Sequence, residues 1–366
     1  MATLLAHEWL AETGGSENVF EQLRLVFPDA TSMCLWNDAP ERFDSTIRET
    51  WLANSPLRRS KALSLPVLPR VWRSVDLDGF ERVVASSHAF SHQLAFAAAK
   101  RGIAAYAYVH TPARYVWTPD FDDRGQSMIA KAGSRYLRRV DRARTSLSVS
   151  YAANSEFVRQ RIHDAWGVPA EVIYPPVDIE TVQSGGRWRD RVKATEGDLI
   201  DSLPEGFVLG ASRFVEYKRL DTAIEVGEVL GRPVVLAGSG PDEERLRERA
   251  SRSKVPVIFF GRPSDEALYA LYQAAALFVF MAIEDFGIMP VEAMALGTPV
   301  LVGDVGGARE SVETIEGGAI ADPRSADGVR SSSDAALAQD MVAARERSRL
   351  FSNASYRDAI KIWTNS

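Results

Sequence analysis

The chain has 366 residues, of which 46% are hydrophobic and 25% are charged, a composition typical of globular proteins and not of disordered segments. This length is too great for one ordinary domain and favours two. The single cysteine, Cys34, excludes an intramolecular disulfide and a cysteine metal cluster. The net charge of −6 argues against nucleic-acid binding, which usually goes with a basic excess.

Short apolar strands alternate with amphipathic helical stretches, which predicts βαβ units around parallel sheets. In the first half of the chain, the predicted strands are Thr3–His7, Ser32–Trp36, Arg82–Ala85, Ala104–Val109, Leu147–Ala152 and Glu171–Tyr174. In the second half, they are Phe207–Ala211, Val234–Ala237, Val257–Phe260, Leu277–Met281 and Pro299–Val302. Predicted helices include Leu220–Leu230, Asp242–Arg252, Glu266–Ala275 and a last one, Ala338–Trp363.

A polar segment with two adjacent glycines, Gly185 and Gly186, interrupts this alternation near the middle of the chain. We therefore predict an N-terminal Rossmann-like domain over residues 1–180 and a linker over 181–204. A C-terminal Rossmann-like domain follows over residues 205–340, and a helical tail covers 341–366.

The sequence shows neither a secretory signal nor an apolar run of the ~18 residues that a membrane span needs. This predicts a cytoplasmic protein, with peripheral contact to the inner face of the cell membrane left open. The basic stretch around Trp72, from Arg58 to Arg73, has two interpretations. It could meet a lipid-linked diphosphate at a membrane surface, or it could be a solvated loop and helix face, which we favour.

The strongest functional pattern is the segment from Glu284 to Glu292, which follows a buried strand. Gly287 and Pro290 predict the start of a helix, whose free N–H groups form an anion site. Side chains of a helix lean toward its N-terminus, so the two carboxylates can lie on either side of a bound phosphate. Without other motifs, two solvated glutamates would explain the pattern about as well.

Two cations, Arg213 and Lys218, follow the predicted strand that ends near Ala211. They therefore lie at the carboxyl end of a parallel sheet, where open α/β sheets bind ligands. A lysine near a helix start is unfavourable unless an anion is bound there. A bound diphosphate therefore explains this pair better than the alternative, in which Arg213 and Lys218 are two unrelated surface cations.

Two weaker signals lie in the first half. Gly14 and Gly15 occupy the first strand-to-helix turn, where glycines let the backbone approach a ligand closely, although a simple helix cap would explain them too. His110 leaves a strand just before Pro112 and could bind a sugar hydroxyl, whereas a lone histidine is more often structural.

Two acidic segments, Asp76-Leu-Asp78 and Asp120-Phe-Asp-Asp123, resemble a metal-binding motif. Both lie in polar or proline- and glycine-flanked segments, so we interpret them as turn and cap residues. Because cations and a helix start are available for a diphosphate, no metal and no other cofactor is predicted.

In this combination and order, the four signals resemble the retaining family-four glycosyltransferases of GT-B fold. The Glu284 to Glu292 spacing is similar to the paired-glutamate motif of that family. Further segments resemble a bacterial subgroup of O-antigen-type mannosyltransferases that use GDP-mannose. These are His7-Glu-Trp-Leu, Gly14-Gly-Ser-Glu17, Ser86-Ser-His88, His110-Thr-Pro-Ala-Arg-Tyr and Tyr174-Pro-Pro-Val-Asp178.

The resemblance implies an α/β fold of two Rossmann-like domains whose parallel sheets face a central cleft. The first domain would bind the acceptor, the second the nucleotide-sugar donor, and the tail would cross back to the first. By the same resemblance, Glu292 holds the ribose, Glu284 contacts the transferred sugar, and Arg213 with Lys218 stabilises the leaving diphosphate. The remaining implied donor contacts are Gly14, Gly15, Gly261, Arg262, Phe286, Gly287 and Ile288. His110 is implied to be catalytic, together with Arg213, Lys218 and Glu284.

The resulting hypothesis is a retaining, metal-independent transferase that moves mannose from GDP-mannose to a hydroxyl of a glycan, a lipid-linked molecule or a small molecule, with no nucleic-acid partner. Alternatives are a UDP-sugar donor and a non-catalytic partner subunit that binds nucleotide sugar. An epimerase or a phosphorylase of this fold is disfavoured, because the acid/base carboxylates or the cofactor lysine they need are not found in the sequence.

Overall fold

The protein is described from a computed structural model over residues 1–44, 46–117, 128–322 and 324–365, with the side chains of 128–132 left aside. The segment Asp120–Asp123, interpreted above as a turn, lies outside these residues. The chain divides into two compact units. One comprises residues 1–176 with 354–366, and the other comprises residues 177–353.

The first unit contains a seven-stranded sheet in which all neighbouring strands are parallel, in the order β3-β2-β1-β4-β5-β6-β7. The strands are β1 Thr3–Leu10, β2 Thr31–Asn37, β3 Arg48–Glu49, β4 Arg82–Ser87, β5 Ala104–Val109, β6 Ser150–Ala153 and β7 Glu171–Val172. Every residue of β1 is buried, as expected for a central strand covered on both faces by helices.

Helices connect these strands and cover the sheet. They are α1 Gly15–Val26, α2 Lys61–Ser64, α3 Leu68–Arg73, α4 His92–Ala99, α5 Arg114–Trp117, α6 Met128–Arg142 and α7 Glu156–Trp166. Successive side chains of a strand point to opposite faces. Accordingly, Leu4 and Ala6 belong to one apolar cluster and Leu5 belongs to another.

The second unit contains a six-stranded parallel sheet in the order β10-β9-β8-β11-β12-β13. Its helices and strands, in chain order, are α8 Ile179–Ser184, α9 Ala194–Asp201, β8 Val208–Ala211, α10 Asp221–Leu230, β9 Val234–Ala237, α11 Glu243–Ser251, β10 Val257–Gly261, α12 Asp265–Ala274, β11 Leu277–Phe280, α13 Ile288–Ala295, β12 Val300–Val302, α14 Gly307–Ile315, β13 Gly318–Ile320, α15 Ala326–Leu337 and α16 Met341–Arg347. The strand order reverses between β8 and β11, the position at which open α/β sheets bind ligands. None of the described helices combines the length and the apolar composition that crossing a bilayer requires.

Residues 181–204, predicted to be a linker, instead belong to the second unit, and the boundary lies between residues 176 and 177. The segment is anchored by Trp188, whose side chain is 4% exposed and whose ring centroid is 4.8 Å from that of Tyr269. The backbone N–H of Trp188 also donates to Gln273. A buried aromatic anchor of this kind holds the segment against the sheet-covering helix α12.

The predicted tail, residues 341–366, is divided between the two units, because only residues 354–366 belong to the first. The expected continuous helix is also interrupted. A 3-10 turn, Ser348–Phe351, and an extended residue, Ser352, separate α16 from the last helix, α17 Asn353–Asn365. The break has a physical cause, since Ser352 pairs with Val177 in a parallel bridge that no helix could make.

Candidate functional site

The turn after β11 carries the first half of the paired-glutamate motif. Gly287 lies in a left-handed conformation, with φ 92° and ψ 80°, and α13 begins directly after it at Ile288. A Cβ atom at Gly287 would lie 3.0 Å from the Cβ of Ala308, so only glycine fits this sharp turn well. Phe286 is buried, with its ring centroid 5.5 Å from that of Phe351. The turn thus places the free N–H groups of α13 at the end of β11.

A second helix start flanks the same turn and was not predicted from the sequence. The backbone N–H of Gly307, the first residue of α14, donates to the carbonyl oxygen of Glu284 at 2.9 Å. A Cβ atom at Gly307 would overlap the carbonyl oxygen of Asp285 and lie 2.6 Å from the Cα of Phe286. The adjacent glycines 306 and 307 after β12 were a signal of the same kind as Gly14-Gly15.

Lys218 and Glu284 are in direct contact as an ion pair. Lys218 ends a 3-10 turn after β8, and its side chain is 8% exposed, compared with 27% for Glu284. The ammonium nitrogen also lies 6.0 Å from the ring centroid of Phe280, the last residue of β11. The sequence predicted both residues for the site but not their contact, which places one positive charge at the end of β11, beside the turn that leads to α13.

Arg213, the second predicted cation, is exposed and donates from Nη2 to the hydroxyl of Tyr217 at 3.2 Å. Lys218 Nζ lies 5.1 Å from the ring centroid of the same tyrosine. Tyr217 therefore contacts both cations. The loop after β9 supports this arrangement, because the backbone N–H of Phe214 donates to the carbonyl oxygen of Ser239 at 2.9 Å.

Glu292 lies within α13, and its Oε1 is 3.4 Å from the hydroxyl of Tyr269. Burial raises the pKa of Glu292 to about 7, because an ionised carboxylate is poorly solvated there. Tyr269, from α12, was not predicted to belong to the site. The carboxylate has capacity to accept further hydrogen bonds from the hydroxyl groups of a ligand.

Gly261 and Arg262 are at the end of β10, the edge strand of the sheet. Arg262 is exposed, and the carbonyl oxygen of Gly261 accepts from the backbone N–H of Gly238 at 2.7 Å. The loop shares the carboxyl edge of the sheet with Lys218, but β9 lies between β10 and β8. The structure therefore places these two residues on the same edge of the sheet as Lys218 but two strands away from β8.

In the first unit, Gly14 precedes α1 and Gly15 is its first residue, as predicted. A Cβ atom at Gly14 would overlap the carboxylate of Glu17, which is 4% exposed. That carboxylate accepts from the backbone N–H of Ala11 at 3.2 Å and from the hydroxyl of Ser16 at 2.8 Å. Burial raises the pKa of Glu17. Glycine at position 14 thus makes room for a buried acidic group beneath the loop.

His110 directly follows β5 and is 8% exposed. Its Nε2 lies 2.8 Å from the hydroxyl of Ser86, and that hydroxyl lies 3.0 Å from Nδ1 of His7. Burial lowers the pKa of His110 to about 3, and it lowers the pKa values of His7 and His88 well below the usual range. The three rings are therefore neutral. Ser86 contacts His110 and His7 contacts Ser86, and neither Ser86 nor His7 was assigned to the site from the sequence.

Within the described part of the chain, no three His, Cys, Asp or Glu side chains come together as a potential metal site. Asp76 instead accepts a hydrogen bond from the backbone N–H of Asp78 at 3.0 Å, the turn geometry predicted for this pair.

Two family profiles match the chain. The profile described as "Glycosyltransferase Family 4" matches residues 13–181, and that described as "Glycosyl transferases group 1" matches residues 201–357. Together they cover most of both units.

Among curated proteins, the chain is 30% identical over 190 residues to the GDP-mannose-dependent alpha-(1-6)-phosphatidylinositol monomannoside mannosyltransferase of Mycobacterium tuberculosis. The match covers 48% of this chain and 49% of that protein. The chain is also 29% identical over 176 residues to O-antigen chain mannosyltransferase C of Escherichia coli. That match covers 47% of this chain and 44% of that protein. It therefore spans about half the length of the curated relatives it matches.

Among solved structures, HepE of Anabaena in complex with UDP superposes with a TM-score of 0.69 at 18% sequence identity, covering 99% of each chain. This likeness shows the fold, which has two parallel-sheet α/β domains and is called GT-B. Taken with the two family matches, it identifies the chain as a member of the family-four glycosyltransferases of GT-B fold.

Proposed function

We propose that this protein is a retaining glycosyltransferase that moves mannose from GDP-mannose to a hydroxyl acceptor without a metal. The observation that carries the proposal is the contact of Lys218 with Glu284 at the carboxyl ends of β8 and β11, beside the start of α13. This group combines a cation, a carboxylate and free backbone N–H groups in one place, as a nucleotide-sugar diphosphate requires.

In this proposal, the diphosphate binds at the start of α13. Lys218, Arg213 and the backbone N–H groups of residues 286–288 stabilise the negative charge that develops as the bond from the sugar to phosphate breaks. Groups held in place before the reaction stabilise such charge most effectively. Lys218 has three N–H donors, so it can keep its contact with Glu284 and still donate to a phosphate oxygen.

Glu292 and Glu284 are assigned to the hydroxyl groups of the donor. Glu292, inside α13 beside Tyr269, accepts from the ribose hydroxyls, and Glu284 contacts the transferred sugar. In its partly buried position, the Glu292 carboxylate makes fewer hydrogen bonds with water than an exposed carboxylate does. Two hydroxyl donors of the ligand would supply the hydrogen bonds that are missing. This assignment makes Glu292 responsible for recognising the nucleoside and Glu284 for orienting the sugar.

The acceptor hydroxyl is proposed to attack from the face that the diphosphate leaves. The bond from the sugar C1 to the phosphate oxygen breaks, the bond from C1 to the acceptor oxygen forms, and the hydroxyl proton passes to the leaving phosphate. The anomeric configuration is thereby retained. Trapping of a covalent glycosyl–enzyme species would contradict this route.

The choice of mannose rests on the two curated relatives described above, which are both named as mannosyltransferases and one of which is named as GDP-mannose-dependent. A UDP-sugar donor is the second candidate, favoured by the likeness to Anabaena HepE, whose structure contains UDP. Both candidates use the same diphosphate site, so the pocket for the base decides between them.

The deciding experiment is thermal unfolding with GDP, UDP, GDP-mannose and UDP-glucose, with and without EDTA, followed by product analysis. A ligand at ~100 times its Kd stabilises by about 2.7 kcal/mol, which is readily measured. We expect shifts with the guanosine compounds alone, unchanged by EDTA, and an α-mannosyl product. Shifts with the uridine compounds would move the donor to the second candidate. No shift with any nucleotide would contradict the transferase proposal.

A further inference from the structure

The hydroxyl of Ser86 lies between the rings of two histidines. It is 2.8 Å from Nε2 of His110 and 3.0 Å from Nδ1 of His7. His7 and Ser86 are 0% exposed, and His110 is 8% exposed. Strand pairing produces this arrangement, because His7 of β1 is opposite Ser86 of β4, and His110 follows Val109, which is opposite Ser87.

One hydroxyl carries one proton, so Ser86 can donate to one ring and must accept from the other. In the first arrangement, Ser86 donates to Nε2 of His110, and the Nδ1–H of His7 donates to Ser86. In the second arrangement, Ser86 donates to Nδ1 of His7, and the Nε2–H of His110 donates to Ser86. The two arrangements give His110 opposite tautomers.

The other ring nitrogen of His7 decides between them. Nε2 of His7 is buried and has no hydrogen-bond partner among the described residues. The second arrangement would put a proton on this nitrogen and so bury an unpaired N–H group. The first arrangement leaves Nε2 of His7 without a proton, as a buried acceptor that receives no hydrogen bond. Buried N–H groups without a partner are rarer in proteins than buried acceptors without one. The first arrangement is therefore the more stable.

We propose that Ser86 and His7 are positioning residues that hold His110 as its Nδ1–H tautomer. Because Nε2 of His110 is engaged by Ser86, Nδ1 is the nitrogen left for a ligand, and it presents a proton. His110 would then donate a hydrogen bond to an oxygen of its ligand, and it would not take a proton from a hydroxyl group of that ligand. The consequence for catalysis rests on the proposed function, whereas the tautomer does not.

Nitrogen NMR of the full chain labelled at histidine tests the tautomer without any substrate. The His110 signals are assigned by their loss in His110→Gln. We expect Nδ1–H in the wild type, a change to the Nε2–H form preferred by free histidine in Ser86→Ala, and retention of Nδ1–H in Ser86→Thr. A wild-type Nε2–H form, or a Ser86→Ala spectrum that keeps Nδ1–H, would overturn the proposal.

Ser91→Ala is the matched control. Ser91 is also fully buried and donates to the backbone carbonyl oxygen of Ser86 at 3.0 Å, and its hydroxyl does not contact the His110 ring. We expect sugar transfer by Ser86→Ala to lose about tenfold or more in kcat, with a smaller change in the donor KM. Removing the hydrogen-bond partner of a metal-bound histidine has an effect of this size. Ser86→Thr and Ser91→Ala should stay near the wild type. An equal loss in Ser91→Ala would reduce Ser86 to a structural role.

If no donor is turned over, the proposed function fails while the NMR result still decides the tautomer. If transfer is observed and His110 carries its proton on Nε2, the proposed function stands and this inference fails.

Discussion

Lys218 and Glu284 form an ion pair in which the lysine is nearly buried. Replacing Lys218 by alanine removes the cation that contacts Glu284 and leaves a carboxylate that would repel the proposed diphosphate. We expect sugar transfer to fall by about 100- to 1,000-fold in kcat, the usual effect of removing one preorganised charge-stabilising group. Steady-state kinetics with the donor found by thermal unfolding measures this effect.

The matched control for that prediction is Lys254→Ala, which removes an exposed lysine from the same unit. It should keep wild-type rates, because it changes the net charge equally without touching the site. Comparable losses in both variants would show that the total charge, and not the contact with Glu284, governs activity.

The proposed contact of Glu292 with the ribose predicts that donor binding depends on pH. Its pKa of about 7 means that much of the carboxyl is protonated at neutral pH, whereas ribose hydroxyls donate best to the ionised form. We therefore expect donor affinity, measured by calorimetric titration, to rise as pH increases through 7 and then to level off. Glu292→Gln should bind weakly and lose this dependence, and an unchanged pH profile in that variant would contradict the assignment.

The same shift predicts a change in stability. Since burial raises the folded-state pKa above the ordinary glutamate value, the folded protein binds the extra proton between those two values. Stability is therefore lost as pH rises across that interval. Glu292→Gln does not titrate, so it should unfold at a higher temperature than the wild type at about pH 8 and at a similar temperature below about pH 4.5. Glu266→Gln, which changes an exposed residue of α12, should have the unfolding temperature of the wild type at both pH values.

At the scale of single residues, the sequence predicted which residues lie near the strand ends and helix starts of the candidate site but not the contacts between them. Lys218, Glu284 and Glu292 could be found because each follows a strand or lies near a helix start, where ligands bind in α/β folds. Tyr269 comes from a separate helix, and the contact of His7 with Ser86 depends on the register of β1 against β4. Neither local pattern nor spacing encodes such pairings.

At the scale of helices and strands, eleven of the thirteen described strands were predicted, and two short ones, β3 and β13, were missed. β3 consists of two exposed residues, Arg48–Glu49, so it offers no apolar run to detect. β13 has three residues, Gly318–Ile320, which begin with a glycine. The break before α17 depends on the pairing of Ser352 with Val177, a long-range contact that a helical pattern cannot reveal.

The packing of the start of α14 against the turn at Glu284 gives a prediction at this scale. In Gly307→Ala, the new methyl group would meet the backbone of Asp285 and Phe286, which cannot give way as a flexible side chain would. We expect a loss of about 1 to 3 kcal/mol in the free energy of unfolding, as for other overpacked sites, together with weaker donor binding.

Gly303→Ala provides the comparison. Gly303 follows β12 in the same loop region, but an added Cβ atom would lie 3.8 Å from the nearest carbonyl oxygen, an ordinary contact. This variant should unfold within about 0.5 kcal/mol of the wild type. If both variants behave alike, the close approach of α14 to the Glu284 turn does not constrain the site.

At the scale of the whole molecule, the chain leaves its first unit at residue 176 and returns to it with α17. The returning helix buries Tyr356, Ile360 and Trp363 in the same apolar cluster as Leu5 and Val84. The indole N–H of Trp363 also donates to the hydroxyl of Ser150 at 2.8 Å. The end of the chain thus contributes to the core that its beginning builds, so the first unit is complete only when residues 354–366 are in place.

Trp363→Ala should therefore weaken the first unit and leave the second unaffected. Truncating a buried tryptophan costs about 3 to 5 kcal/mol, which lowers the unfolding temperature of a unit this size by roughly 10 °C. Scanning calorimetry should show an early transition in this variant, and the nucleotide should raise only the later one, because the proposed donor site lies in the second unit. Ile362→Ala, at a neighbouring position that is 74% exposed, should unfold like the wild type. A single transition that Trp363→Ala lowers as a whole would mean instead that the two units unfold together.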